Sequence, residues 1–271
     1  LIDRANEIGG QFNYAKQIPG KEEFHETLRY FRHRLKDSGV DLQLGQTADA
    51  ALLRASGHDE VVIATGITPR QVSFPGSDDP RVLSYIDVLA HHQSVGAKVA
   101  IIGAGGIGFD VAEFLVERAP SATTDVARWT REWGVDMQLA ERGGLQLPHP
   151  EAPARQVWLL QRSEGRLGAR LNKTTGWVHR ATLKAKQVIM LGNVRYQRFD
   201  DRGLHVTVNG SAQILPVDNV VVCAGQEPNR RLADELIAAG LVVHVIGGAD
   251  VATELDAKRA IAQGTQLASQ I

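Results

Sequence analysis

The sequence predicts an α/β protein made of two parallel-sheet units built alike, one inserted into the other. Two observations carry this. The first is Lys98 to Leu115, KVAIIGAGGIGFDVAEFL, where a short β-branched run ends in Gly103, Gly105 and Gly108 and a helix begins at once. The second is an internal echo. DEVVIATGITPR at 59 to 70 is matched by DNVVVCAGQEPN at 218 to 229, with Asp59 against Asp218, Gly66 against Gly225 and Pro69 against Pro228. A buried strand that ends in glycine, met twice on either side of the first motif, suggests two similar sheets with one nested in the other.

Each part of the first motif has a physical reason. Lys98 to Ile102 reads as a buried strand. In the G-x-G-x-x-G that follows, Gly103 makes the tight turn, Gly105 admits a pyrophosphate against the backbone, and Gly108 lets the helix pack on the strand. Ile107, Val111, Phe114 and Leu115 then fall on one helical face. Phosphates would sit at the positive end of that helix, facing its free amides.

Composition bounds the rest. The chain has 271 residues, with 30 basic against 31 acidic, so no charge excess points to nucleic acid or an anionic membrane surface. No run of about eighteen apolar residues suggests a spanning helix. The single cysteine, Cys223, rules out an internal disulfide or an all-cysteine metal site in this chain, and it fits a reducing cytoplasm. Leu1 is not an initiator, and truncation at the N-terminus is expected.

In chain order, Leu1-Ile2-Asp3 reads as a strand end carrying an acid. Asp3 has two readings, a ribose-binding carboxylate at the end of a second strand or an ordinary solvated acid. On the first reading, a first strand, its glycine turn and its helix would lie upstream of Leu1. Gly20 to Lys36 is expected as a helix with Phe24, Leu28, Phe31 and Leu35 on one face, and Val40 to Leu44 as a strand. Asp59 to Arg70 is expected to be a buried strand stopped by Pro69.

After the glycine helix the spacing lengthens. The next strand, Val157 to Leu160, begins 54 residues after Gly103, where a simple motif needs about 20. An insertion at about 118–155 fills the gap, with Trp129 and Trp133 on a short helix, and is expected to be a packed flap on the surface. At the end of that strand stands Arg162, where a carboxylate would select NAD. A guanidinium there suits a 2′-phosphate, the alternative being a solvated arginine. Leu204 to Val208 and Ser211 to Leu215 form a hairpin around Asn209-Gly210. Val243 to Ile246 is a last strand running into Gly247-Gly248-Ala249-Asp250, before a helix carrying Leu255, Ala260, Ile261 and Leu267. Asp250 either caps that helix or binds a ribityl hydroxyl.

Several longer stretches carry a resemblance. EIGGQFNYAKQIPGKEEF at 7 to 24, VLSYIDVL at 82 to 89, LQRSEG from 160, NKTTGWVHRATL at 172 to 183, CAGQEPN from 223 and ELDAKRAIAQGT from 254 make the chain resemble the C-terminal part of the bacterial NADPH-dependent 2,4-dienoyl-CoA reductases. These fall within the larger group of trimethylamine dehydrogenase and the enoate reductases. The resemblance implies two Rossmann-like domains, an NADPH domain at 93–227 inserted into an FAD domain at 1–92 and 228–271 that lacks its first strand and glycine motif. It implies an N-terminal barrel with FMN and a 4Fe-4S cluster outside this chain as its partner, so that these residues form only the electron-entry half.

By position, the resemblance puts Asp3, Gly10, Gln11, Ala48, Thr65, Gly66, Gly248 and Asp250 on FAD. It puts Gly103, Gly105, Gly106, Ile107, Arg162 and Lys173 on NADPH, and Gly225 and Gln226 near the join of the two cofactors. No metal ligand and no catalytic acid or base is expected, since hydride transfer between nicotinamide and flavin needs alignment and electrostatic tuning only. A disulfide reductase would need a cysteine pair, which this chain does not supply. From another class, a nucleotide-binding module without turnover also fits.

Overall fold

The computed structural model describes residues 1–271 apart from Ala119, Glu254 and Leu255. In chain order the strands are β1 (Ile2–Asp3), β2 (Gln43–Leu44), β3 (Glu60–Ile63), β4 (Ile67–Pro69), β5 (Val82–Ser84), β6 (Lys98–Ile102), β7 (Gln156–Leu160), β8 (Ile189–Leu191), β9 (Val194–Asp200), β10 (Gly203–Val208), β11 (Ser211–Leu215), β12 (Asn219–Val222), β13 (Gln226–Pro228) and β14 (Val242–Val245). The helices are α1 (Phe12–Ala15), α2 (Phe24–Asp37), α3 (Ala50–Ala55), α4 (Tyr85–Leu89), α5 (Gly106–Val116), α6 (Val126–Trp133), α7 (Gly176–Ala185), α8 (Arg231–Ala238) and α9 (Ala257–Ala268). They divide between two compact units, one of Leu1–Gly10, Glu26–Arg70 and Gly225–Ile271, the other of Gln11–His25 and Gln71–Ala224.

The 71–224 unit is built on a five-stranded parallel sheet in the order β5-β12-β6-β7-β8. Strand alternation explains its two cores. Val99, Ile101, Val157 and Leu159 point to one face and meet Phe109, Leu115 and Leu183 from α5 and α7. Ala100, Ile102, Trp158 and Leu160 point to the other and meet Val194, Phe199, Leu204 and Val206 from an antiparallel sheet, β11-β10-β9. A parallel sheet covered on both faces needs continuous apolar strands, and β6, β7 and β12 are buried almost throughout. The β10–β11 turn is the expected hairpin, with Asn209 and Gly210 both at positive φ, 49° and 85°.

Two stretches expected with the outer unit pack here instead, 11–25, whose Ile18 is buried in the helix-side core, and 71–92. Leu83 and Tyr85 join the helix-side core, and Val82 to Ser84 pair with Val220 to Val222. A three-residue strand carries too little pattern to announce a partner so far along the chain.

The insertion is tied by ion pairs to the residues that flank it and to Lys186. Arg128 pairs with Glu117 at 2.8 Å and Glu151 at 2.9 Å, and Lys186 reaches Glu132 at 3.2 Å and Glu117 at 3.6 Å. Asp125 caps α6 and Gly134 ends it in the left-handed conformation. Trp129 and Trp133 stack at 5.9 Å.

The other unit contains three two-stranded ladders, parallel β1–β2, parallel β3–β14 and antiparallel β4–β13. Its core is smaller, with Leu53, Val61, Ile63, Ala233, Leu236 and Ala249. Several expectations change along the chain. The 59–70 stretch is not one buried strand. Val61 and Ile63 are buried while Val62 is 42% exposed, because one face alone is covered, and the chain turns at Gly66 into β4. The helix expected from Gly20 starts at Phe24, since Gly20 sits at φ +84°, outside helical geometry. Phe31 on that helix is exposed. The expected strand over 40–44 shrinks to β2. In α9, Ile261 is exposed, and the expectation for Leu255 lies outside the described residues. No helix among the described residues is long and apolar enough to cross a membrane.

Candidate functional site

In the 71–224 unit the three motif glycines each meet a different constraint. At Gly103, φ is +111° and a Cβ would stand 2.4 Å from the Cys223 carbonyl oxygen, so no side chain fits between β6 and β12. At Gly108 a Cβ would stand 1.8 Å from the Gly103 carbonyl oxygen, so the helix lies against the turn only without one. At Gly105 and Gly106 a Cβ would meet nothing within 4 Å. Their lack of side chains therefore serves the open side of the turn. Gly105 is the N-cap of α5, whose first amides have no partners further back in the helix. Ile107 packs against the helix-side core and anchors the turn. A glycine cradle open at a helix N-terminus can receive a pyrophosphate.

Arg162 lies two residues beyond β7, exposed, on the side of the sheet that carries Tyr196 of β9. Burial pushes the Tyr196 hydroxyl up to about 12, and the Arg162 charge offsets part of that. Lys173 is exposed in the turn before α7. Among the described residues no carboxylate pairs with either.

A polar cluster that the sequence did not point to stands on α5. Asp110 and Glu113 lie three residues apart on this otherwise apolar helix. Asp110 takes the Lys21 ammonium at 2.6 Å, and Glu113 meets His179 Nδ1 of α7 at 2.8 Å. Glu113 is buried, and desolvation raises its carboxyl above the ordinary value while His179 pulls it back. The hydrogen bond to Glu113 raises His179 in turn. Ligand atoms of Asp110, Glu113 and His179 lie within 4.8 Å of one another, close enough to hold a divalent cation, although the Lys21 ammonium already neutralises Asp110. Two acids inside an apolar helix were the available signal, since such groups need partners when buried.

In the other unit, Asp3 ends β1, and its Oδ1 accepts the Ala5 amide at 2.9 Å. Gly10 has φ +48° and an open Cβ position. Gln11, the next residue, belongs to the 71–224 unit, where it heads α1 and its carbonyl accepts from Tyr14 and Ala15. Ala48 is half-buried beside Asp49, the cap of α3. Thr65, Gly66, Gly225 and Gln226 come together because the two echoing segments pair with each other. Gln226 stands against Pro69 and Pro228 against Ile67. The Thr65 hydroxyl donates to the Asn229 carbonyl at 2.6 Å, the Asn229 amide to Gly66 at 3.0 Å and the Arg70 amide to Gly225 at 3.0 Å. Gly248 is buried in a 3-10 turn. Asp250 does not cap α9. Asp256 does, accepting the Arg259 amide at 2.7 Å, because the helix starts seven residues later than Asp250. Asp250 instead accepts from Gln263 Nε2 at 2.7 Å and faces Arg230 at 3.9 Å.

Comparison with known proteins bears on the family and the fold. The family model described as pyridine nucleotide-disulphide oxidoreductase matches residues 9–258. A bilirubin reductase of Mediterraneibacter gnavus is 37% identical over 117 residues, covering 43% of this chain and 18% of that protein. A metal reductase of Desulforamulus reducens is 25% identical over 253 residues, 92% of this chain and 37% of that protein. A cinnamate reductase of Clostridium sporogenes is 25% identical over 243 residues, 87% of this chain and 30% of that protein. Among solved structures, a 2-naphthoyl-CoA reductase complex superposes with a TM-score of 0.80 at 23% identity, over 100% of this chain and 36% of that one. Histamine dehydrogenase from Rhizobium sp. 4-9 does so at 0.73 and 18%, over 100% and 40%. At these identities the structures speak for the fold. The chain spans less than two-fifths of the curated relatives named here.

Proposed function

The chain belongs to the pyridine nucleotide-disulphide oxidoreductase family, and on that premise we propose that it is the electron-entry half of an NADPH-dependent 2,4-dienoyl-CoA reductase of β-oxidation. The observation that carries the nucleotide part is the cradle at Gly103 to Gly108, where two glycines are required by contacts and two face open space at a helix N-terminus. NADPH would lie there, with its pyrophosphate at Gly103, Gly105, Gly106 and Ile107, its 2′-phosphate at Arg162, and Lys173 close by. FAD would lie in the unit that frames residues 71–224, held by Asp3, Gly10, Ala48, Thr65, Gly66, Gly248 and Asp250, with Gln11 next along the chain after Gly10. Gly225 and Gln226 belong to the same set. The division into an FAD domain with an NADPH domain inserted in it is part of this proposal.

When bound, FAD supplies the acceptor for a hydride from NADPH. The residues of this chain then bind and orient. The glycine turn fixes the dinucleotide, and the left-handed positions at Gly66 and Gly225 leave the backbone bare on both echoing segments. No side chain has to move a proton in this step. The lone cysteine, buried and with its thiol pushed up by desolvation, is unsuited to disulfide exchange. FMN, a 4Fe-4S cluster and the acyl-CoA site would belong to a barrel outside these residues. The single cysteine supports a reducing, cytoplasmic setting.

A second reading has support in the relatives, whose names span bilirubin, metal and cinnamate reduction. On it, the chain is a common electron-entry module whose substrate is chosen elsewhere. One assay tests both. The purified chain is mixed with excess FAD and NADPH while bound-flavin absorbance, dye reduction and dienoyl-CoA absorbance are followed. Flavin binding and slow dye reduction are expected, without loss of dienoyl-CoA. Consumption of dienoyl-CoA by this chain alone, or no affinity for either nucleotide, would sink the proposal.

A further inference from the structure

On the helix-side face of the five-stranded sheet, away from Arg162 and Tyr196, lies a cavity of about 440 Å³ between the loop after β7, α7 and β8. Three cations line it, Arg166 from the loop and Arg180 and Lys184 one turn apart on α7, and no acidic residue does. Among the described residues none of the three is in an ion pair. Arg180 Nη1 donates to the Gly168 carbonyl at 3.1 Å, while its Nε is buried with no partner. The floor is apolar, formed by Leu167, Val188 and Met190.

Two bland explanations fall short. A basic residue in a helix's last turn answers the helix dipole. That accounts for Lys184, but Arg180 lies in the middle of α7 and Arg166 outside it. Solvation of isolated charges does not explain why three of one sign converge, since like charges in one concavity repel. The rim carries a further cost. Gln187, which also lines the cavity, holds φ +58° just past the helix end, where glycine is the usual residue.

The geometry points to a second anion site, separate from the dinucleotide cradle, that takes a phosphate monoester with an apolar body. Two guanidinium groups and an ammonium suit a dianionic phosphoryl group, and the apolar floor gives the body of the ligand its place. The separation from the 2′-phosphate position rests on sheet alternation. Val188 and Met190 face the α5 and α7 side, whereas Tyr196, beside Arg162, belongs to the opposite core.

Calorimetric titration of the full 271-residue chain with phenyl phosphate, and with inorganic phosphate alone, tests this. Phenyl phosphate should bind saturably and more tightly than phosphate. Saturating NADPH and the Arg162→Ala change should leave that binding in place. The double change Arg166→Gln with Lys184→Gln, which spares the Arg180 bond to Gly168, should weaken it roughly tenfold or more, with circular dichroism unchanged. Displacement by NADPH would make the cavity part of the dinucleotide site and overturn the inference. So would the absence of saturable binding, or binding indifferent to the double change.

Discussion

Arg162 and His179 illustrate two kinds of residue-scale information. Arg162 is one exposed guanidinium at a strand end, and its worth depends on a ligand. Arg162→Ala should weaken NADPH by about 2 kcal/mol, roughly 30-fold, and leave NADH nearly unchanged, as read by titration of each nucleotide. Equal losses would assign the arginine to structure. His179 acts inside the protein. Its folded pKa is raised above 6.5 by Glu113, so the stability it contributes is fully present below about pH 6.5 and fades as pH rises through the folded value. The raised carboxyl of Glu113 acts in the same direction. His179→Gln should therefore lower the melting temperature more at about pH 6 than at about pH 8.5. Equal lowering at both would show that the ring matters as packing and not as a charge.

At the scale of the element, the glycine turn makes a distinction that its motif alone does not. Gly108→Ala drives a Cβ into the Gly103 carbonyl, which is backbone and has no rotamer to retreat to, so the α5 packing must shift. Gly105→Ala has ordinary φ and open space around it, and should fold as the parent does. Melting curves should show a large fall for Gly108→Ala and little for Gly105→Ala. Nucleotide titration should show a loss for both, because the new methyl of Gly105→Ala occupies the ligand's side of the turn. Unchanged NADPH affinity in Gly105→Ala would remove the cradle from the site.

Over the whole molecule the two units differ in how they are held. One rests on five parallel strands with a core on each face, the other on three two-stranded ladders and a single smaller core. Two-stranded ladders depend on what packs against them. Amides of β6, β7 and β12 should exchange with solvent most slowly, and those of β1, β2, β3 and β14 faster. Binding adds to this by mass action. FAD should slow exchange in β3 and β14 while leaving β6 and β7 near their starting values, and NADPH should protect the α5 turn first. Hydrogen exchange followed by mass spectrometry reads both, and protection of the wrong unit by either nucleotide would reverse the assignment of domains.

What the amino-acid sequence determined on its own were features decided within a few residues. These were the glycine turn with its strand and helix, the Asn209-Gly210 hairpin, the existence of an insertion before β7, and the two echoing segments. Short-range sterics and apolar periodicity decide such things, and both are written in neighbouring letters. Tertiary structure alone decided which distant pieces meet. The echoes pair with each other through β4 and β13, Lys21 finds Asp110 across 89 residues, and Arg166 converges with Arg180 and Lys184 on one cavity. It also decided competitions between equal local candidates. Asp256 caps α9 in place of Asp250, and Gly20 turns the chain where a helix pattern had already begun. A carboxylate or an ammonium takes its role from the partner that folding brings within reach, and that partner can stand anywhere along the chain.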